Sequence, residues 1–186
     1  MRETVGVSLT VLLLTASMSG CTAVTDAITG NDSVDVPVWE VGDWWLYTFS
    51  TPEYTDDTAR LVVASVSEEG GTANMLAISS LTEARRHAVL NHNPFLGRIT
   101  HEDLAAFENG VAQPVMEFPL EKDNSWEFTL FSIEWQASVI DLSSDYVTIR
   151  ADSDDGGRID YVYDRSAGFF SSFIWKDSAE IEQMRM

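Results

Sequence analysis

From Pro37 onward the chain is a succession of short apolar runs rich in β-branched and aromatic residues, joined by connections too short for a parallel crossover. That constraint leaves antiparallel β-structure. Strands are expected near 44–50, 59–67, 73–79, 83–90, 126–131, 134–141, 146–151, 158–163 and 168–175, with another near 181–186. The expected fold is therefore all-β: a curved antiparallel sheet or half-barrel of about nine or ten strands. Glu69-Gly70-Gly71 and Asp155-Gly156-Gly157 supply residues that tolerate positive φ, as tight hairpins require. Between Arg158 and Asp164 the alternation sends Ile159, Tyr161 and Tyr163 one way and Val162 the other, so part of the sheet should be covered on both faces. One stretch reads differently. Residues 102–109 are expected as one short helix ended by Gly110.

Ahead of this domain lies a charged start (Met1-Arg2-Glu3-Thr4), an apolar run over 5–14, and small residues leading to Met18-Ser19-Gly20-Cys21. The order resembles the signal peptide and lipobox of prokaryotic lipoproteins, with Met18 where Leu is usual. Processing needs a thiol to take a diacylglyceryl group, preceded by small residues that fit the peptidase. Cys21, Gly20 and Ser19 supply these. An ordinary signal peptide with a chance cysteine competes, as does a retained anchor, although the run over 5–14 is about half of the roughly 20 residues a spanning helix needs. The start is weakly charged because Glu3 cancels Arg2, and there is no twin arginine. The expected organisation is a signal over 1–20, a flexible tether over 21–36, and one β-rich extracytoplasmic domain over 37–186. Two acyl chains on Cys21 would suffice for stable attachment, making the membrane a partner through that anchor. Cys21 is the only cysteine, so its lipidation leaves none for a disulfide or a thiolate metal site.

Thirty acidic residues against eleven basic ones give a formal charge of −19, which argues against nucleic acid as a partner. Only Lys122 and Lys176 are lysines, and the carboxylates are dispersed along the whole chain. This is a halophile-like surface, soluble where salt screens self-repulsion; an acidic secreted protein from an ordinary habitat is the alternative.

A weak internal repeat, offset by 81 residues, joins Gly42-Asp43-Trp44-Trp45-Leu46-Tyr47-Thr48-Phe49 to Asp123-Asn124-Ser125-Trp126-Glu127-Phe128-Thr129-Leu130. Each is a tight turn that delivers a Trp and a second aromatic to the same face of a strand, which suggests two similar halves. The first copy, Trp39-Glu40-Val41-Gly42-Asp43-Trp44-Trp45-Leu46-Tyr47, resembles the W-x-V-G-D-x-W-x-Y opening motif of a broad set of secreted and lipid-anchored prokaryotic proteins, many of them archaeal. Phe118-Pro119-Leu120 before Trp126, and Tyr161-Val162-Tyr163 before Gly168-Phe169, extend the likeness. The departure is Asp123-Asn124, where Gly-Asp or Gly-Asn is more usual, so the second turn is expected to differ in type. The resemblance implies a curved antiparallel sheet, with a half-barrel like that of lipoprotein carriers as one form. It implies no reaction.

The six tryptophans belong first to a core. A sharper reading has Trp44, Trp126, Trp135 and Trp175 lining an apolar concavity that holds a lipid, sugar or peptide. Trp44 and Trp45, being adjacent on a strand, must face opposite ways. His87, His92 and His101 have no spacing that guarantees convergence on a metal. Asp152-Ser153-Asp154-Asp155-Gly156-Gly157 echoes a calcium loop, but Tyr163 stands where its last carboxylate belongs, so a hairpin turn is the better reading. No nucleophile elbow and no phosphate-cradling glycine loop occurs.

The chain thus reads as a non-enzymatic binding or interaction module without cofactor or metal, anchored at the outer face of the cell membrane, its partner an unknown protein or small apolar ligand. A carrier or chaperone for an apolar ligand is the alternative, and a carboxylate-based cell-envelope hydrolase the third. A large dry cavity would favour the carrier and a filled interior the module. Two acidic side chains facing each other beside a tryptophan would favour the hydrolase.

Overall fold

A computed structural model describes residues 33–53, 56–69, 72–81 and 93–186. The signal, Cys21, the strand expected at 83–90, His87 and His92 lie outside the described residues.

Among the described residues the protein is all-β, with fourteen strands and no helix. β1 (Ser33–Val34) is followed by β2 (Trp44–Phe49), β3 (Asp57–Glu69), β4 (Thr72–Leu81), β5 (Gly97–Thr100), β6 (Ala106–Glu108) and β7 (Val111–Gln113). β8 (Leu120–Glu121) then precedes β9 (Ser125–Leu130), β10 (Ile133–Leu142), β11 (Tyr146–Asp152), β12 (Arg158–Asp164), β13 (Phe169–Lys176) and β14 (Glu182–Arg185). β2 to β7 form one six-stranded sheet and β9 to β14 another, each with neighbours in chain order, and β1 pairs with β8. Every pairing is antiparallel, as the short connections dictate. The expectation of nine or ten strands was too low, because two- to four-residue strands carry no alternation to read.

The expected helix over 102–109 is not formed. Residues 101–103 make a turn, and Asn109 and Gly110, at φ 51° and 82°, form the two-residue loop of a hairpin in which Glu108 faces Val111. Positive φ at both loop residues is the I′ geometry that Asn-Gly favours. The glycine read as a helix stop is a hairpin turn.

The 81-residue repeat falls on the opening strands of the two sheets. Gly42 at φ 103° and Asp123 at φ 65° occupy the same place in their turns. Asp43 N–H donates to Glu40 O at 3.0 Å, and Asn124 N–H to Glu121 O at 3.2 Å. Asp43 O then accepts from Val63 N–H at 2.9 Å, and Asn124 O from Val139 N–H at 3.0 Å. The second turn therefore matches the first, with an aspartate where glycine stands. The two halves also meet in corresponding ways: β7 lies against β9 and β14 against β2, while β1 and β8, each ahead of its sheet, pair with each other. At one seam Ser50 and Arg185 exchange backbone hydrogen bonds of 2.9 Å. At the other, Thr129 N–H donates to Gln113 Oε1 at 2.7 Å.

Inward positions of both sheets share one core. Tyr47 and Phe49 of β2, Leu61 and Val63 of β3, and Ile99 of β5 meet Trp126 and Phe128 of β9, Trp135 of β10, Ile149 of β11, Ile159, Tyr161 and Tyr163 of β12, and Phe170 and Phe173 of β13. On β12 the alternation holds as read, with Val162 half-buried on the opposite face. Phe95 lies among Phe169, Phe170 and Phe173 at centroid distances of 5.3, 4.9 and 5.9 Å. Two buried polar tips are paired with backbone: Tyr161 Oη–H donates to Val115 O at 2.7 Å and Trp135 Nε1–H to Leu130 O at 2.9 Å. Side chains occupy the space between the sheets.

Candidate functional site

The aromatic motif sits at the opening of β2, and the turn before it fixes where each ring goes. Gly42, in a left-handed conformation, donates its N–H to Val63 O at 2.9 Å, while Asp43 Oδ2 accepts from Glu40 N–H at 2.8 Å. Trp44 then emerges on the outer face and Trp45 on the inner one.

The inward members form a clamp. Trp39, Trp45 and Phe169 are in mutual ring contact at 4.5, 4.9 and 5.1 Å. Trp39 Nε1–H donates to Gly168 O at 3.1 Å, Trp45 Nε1–H to Ala167 O at 2.9 Å, and Tyr47 Oη–H to Phe170 O at 2.6 Å. All three acceptors belong to the β12–β13 hairpin, so the motif bolts the first sheet to the second. Gly168, at φ 63°, permits the close approach: a Cβ there would stand 3.3 Å from Pro37 Cβ. The hairpin is held from within by Asp164, which accepts from Ser166 Oγ–H at 2.7 Å and from Ser166 and Ala167 N–H at 2.8 and 3.1 Å. Those bonds, the hydroxyl first, lower the Asp164 pKa; burial and then the Asp164 charge push the Tyr47 phenol well up.

The outward members form an apolar ledge. Val38, Val41, Trp44 and Leu46 are 80, 60, 52 and 61 % exposed. Trp44 and Leu46 lie two residues apart on one strand face, opposite Val62 and Arg60. The Arg60 guanidinium stacks over the Trp44 ring at 4.1 Å. Val38 and Trp44 line the same cleft of about 360 Å³, to which Arg165 and Ser166 also contribute.

A second cleft, of about 320 Å³, is lined by Gln113, Glu127, Glu134, Trp135, Asp152 and Asp154 among others. Glu127 and Asp152 both face Gln136, one from each neighbouring strand, so their backbones stand two strand spacings apart, roughly 10 Å. Acid–base chemistry with carboxyl pairs needs one carboxyl in apolar surroundings. Glu127, Glu134, Asp152 and Asp154 all stand exposed, and the Trp135 side chain is turned into the core. The arrangement attracts cations without enclosing them, and among the described residues no three potential metal ligands converge.

The four tryptophans singled out in the sequence do not share a concavity. Trp44 is on the ledge, Trp126 and Trp135 are in the core, and half-buried Trp175 stacks on Phe131 at 4.2 Å. Trp126 Nε1 and Trp175 Nε1 have no hydrogen-bond partner among the described residues. Asp155, in the calcium-like turn, is engaged by Ser153 Oγ–H and Gly157 N–H, which lower its pKa. The ledge itself was half legible: adjacency required one of Trp44 and Trp45 to face out, and Leu46 follows between two inward aromatics. The three hairpin carbonyls, being backbone, left no sequence signal beyond Gly168.

No family model, curated protein or solved structure matches this chain.

Proposed function

We propose that the protein is a lipid-anchored, non-enzymatic interaction module held at the outer face of the cell membrane through Cys21, binding with its outer surface. The observation that carries this reading is the filled interior. Phe49, Phe95, Tyr161, Phe169, Phe170 and Phe173 are fully buried between the sheets, and a carrier would need that space for its cargo. The clefts lie outside the core, and four of the exposed apolar residues, Val38, Val41, Trp44 and Leu46, fall within one nine-residue stretch at the ledge. Supporting the anchor is the order of charged start, apolar run and small residues before Cys21.

Two measurements test the two halves of the reading. Intact mass spectrometry of the membrane-extracted chain is expected to show a diacylglyceryl mass on Cys21, and the Cys21→Ser variant is expected in the soluble fraction; unchanged retention of that variant counts against the anchor. Organic extraction of the purified protein removes non-covalent lipid but leaves a thioether in place. The extract is expected to hold no apolar compound at one equivalent per chain, and a stoichiometric one would restore the carrier.

A further inference from the structure

We infer that the ledge formed by Val38, Val41, Trp44 and Leu46 seats on the headgroup layer of the membrane that carries the anchor, fixing the domain's orientation on the bilayer. The inference rests on the Cys21 anchor proposed above. However the intervening residues are folded, the chain from Cys21 to Ser33 spans at most about 40 Å. The ledge begins at Val38, just past β1, so it lies on the first stretch of the domain that follows the tether. An anchored domain therefore holds this surface at millimolar effective concentration next to lipid, where an apolar patch too small to bind on its own is sufficient.

The chemistry of the ledge suits a lipid interface. A tryptophan flanked by aliphatic side chains partitions at headgroup depth, where its indole can reach water while its ring meets acyl chains. Arg60, stacked on Trp44, places a cation at the level of lipid phosphates. The carboxylates of the stretch that carries the ledge are Glu40 and Asp43, and Asp43 Oδ2 is engaged by the Glu40 N–H of the same turn. The β9–β11 surface, with Glu127, Glu134, Asp152 and Asp154, has the opposite character and would be repelled by anionic lipid.

The test uses the full lipidated chain reconstituted in vesicles of phosphatidylcholine and phosphatidylglycerol, with a dibrominated phosphatidylcholine as quencher of tryptophan fluorescence. Emission from the wild-type protein is expected to be quenched, and the quenchable fraction to fall at least severalfold in Trp44→Phe. Trp44 is on the outer face, so this variant should fold, which circular dichroism checks. Val38→Glu with Leu46→Glu should lower quenching in the same way while leaving the protein sedimenting with the vesicles. Wild-type emission untouched by the quencher, or quenching equal in Trp44→Phe, overturns the docking and leaves the anchor standing. Release of the wild-type chain from vesicles would instead indict the anchor. Concentration-dependent dimerisation in detergent that disappears in Trp44→Glu overturns the inference in favour of a second copy on the ledge.

Discussion

Aromatic residues in this protein act through their polar tips as much as through their rings. Trp135 and Trp126 make the comparison directly, since both are buried on inward faces of neighbouring strands. Trp135 donates to Leu130 O, whereas Trp126 Nε1 has no partner among the described residues. Replacing Trp135 by Phe leaves a buried carbonyl short of its donor and should cost about 1–3 kcal/mol more than Trp126→Phe, measured by urea denaturation. Equal losses would mean that ring volume alone decides. The buried phenols give a second expectation. Burial pushes Tyr163 up to about 12 from 10.0, and drives Tyr47 and Tyr161 upward also. A raised folded pKa means that the neutral form is favoured in the fold. The stabilisation is then fully present below pH 10 and is lost as pH rises from there toward about 12, because the unfolded chain ionises first. Urea midpoints should fall over that window, with the tyrosinate absorbance of Tyr47, Tyr161 and Tyr163 appearing only as the protein unfolds; Tyr163→Phe should blunt the fall.

At the level of strands and turns, the correspondence between the two halves can be tested at Asp123. It holds a φ of 65° in the place where Gly42 holds 103°, with the same turn hydrogen bond. Asp123→Gly removes the left-handed penalty and should raise stability by about 0.5–1 kcal/mol, offset in part by added unfolded-state entropy. A loss would show that the Asp123 side chain contributes more than its backbone costs. These elements also show where a sequence can be read. β2, β3, β9, β10, β11, β12 and β13 were legible because each is long enough to alternate between a buried and an open face. β4 and the four-residue β14 were also anticipated, near 73–79 and 181–186, whereas β1, β5, β6, β7 and β8 were not, since stretches of two to four residues seldom show a period. Asn109-Gly110 was misread because a left-handed glycine ends helices as well as turning hairpins, and only Val111 facing Glu108 decides between them. The ledge was visible only as one member of the Trp44-Trp45 pair; its extent depends on Val38 and Val41, which sit in the irregular stretch and turn ahead of β2 that no periodicity describes.

For the molecule as a whole, the decisive quantity is the imbalance of charge around a shared apolar core. Inward positions are mostly apolar in both sheets, Asp57 being the buried carboxylate among the described residues, and the full chain carries 30 acidic residues against 11 basic ones. Two effects of salt then oppose each other. Screening weakens the pairs Arg150–Asp160, Arg158–Asp160 and Arg158–Glu180, at 2.9, 3.0 and 3.1 Å. Each involves side chains that are about a third exposed or more on at least one partner, and such pairs contribute about 0–1 kcal/mol. Screening also relieves repulsion spread over a net charge of −19, and it does so completely once the Debye length shrinks to about 3 Å in molar salt. A few partly exposed pairs cannot outweigh an excess of that size, so stability should rise with salt. The urea midpoint is expected to increase steadily from low salt to about 1 M KCl at unchanged m-value, by an amount worth at least about 1 kcal/mol. The same screening removes the repulsion between an acidic domain and anionic lipid, so bromolipid quenching of Trp44 should strengthen over that range. A midpoint that falls with salt would mean that the ion pairs carry the fold, and quenching that falls would mean that Arg60 and lipid phosphate, not the apolar ledge, hold the domain to the bilayer.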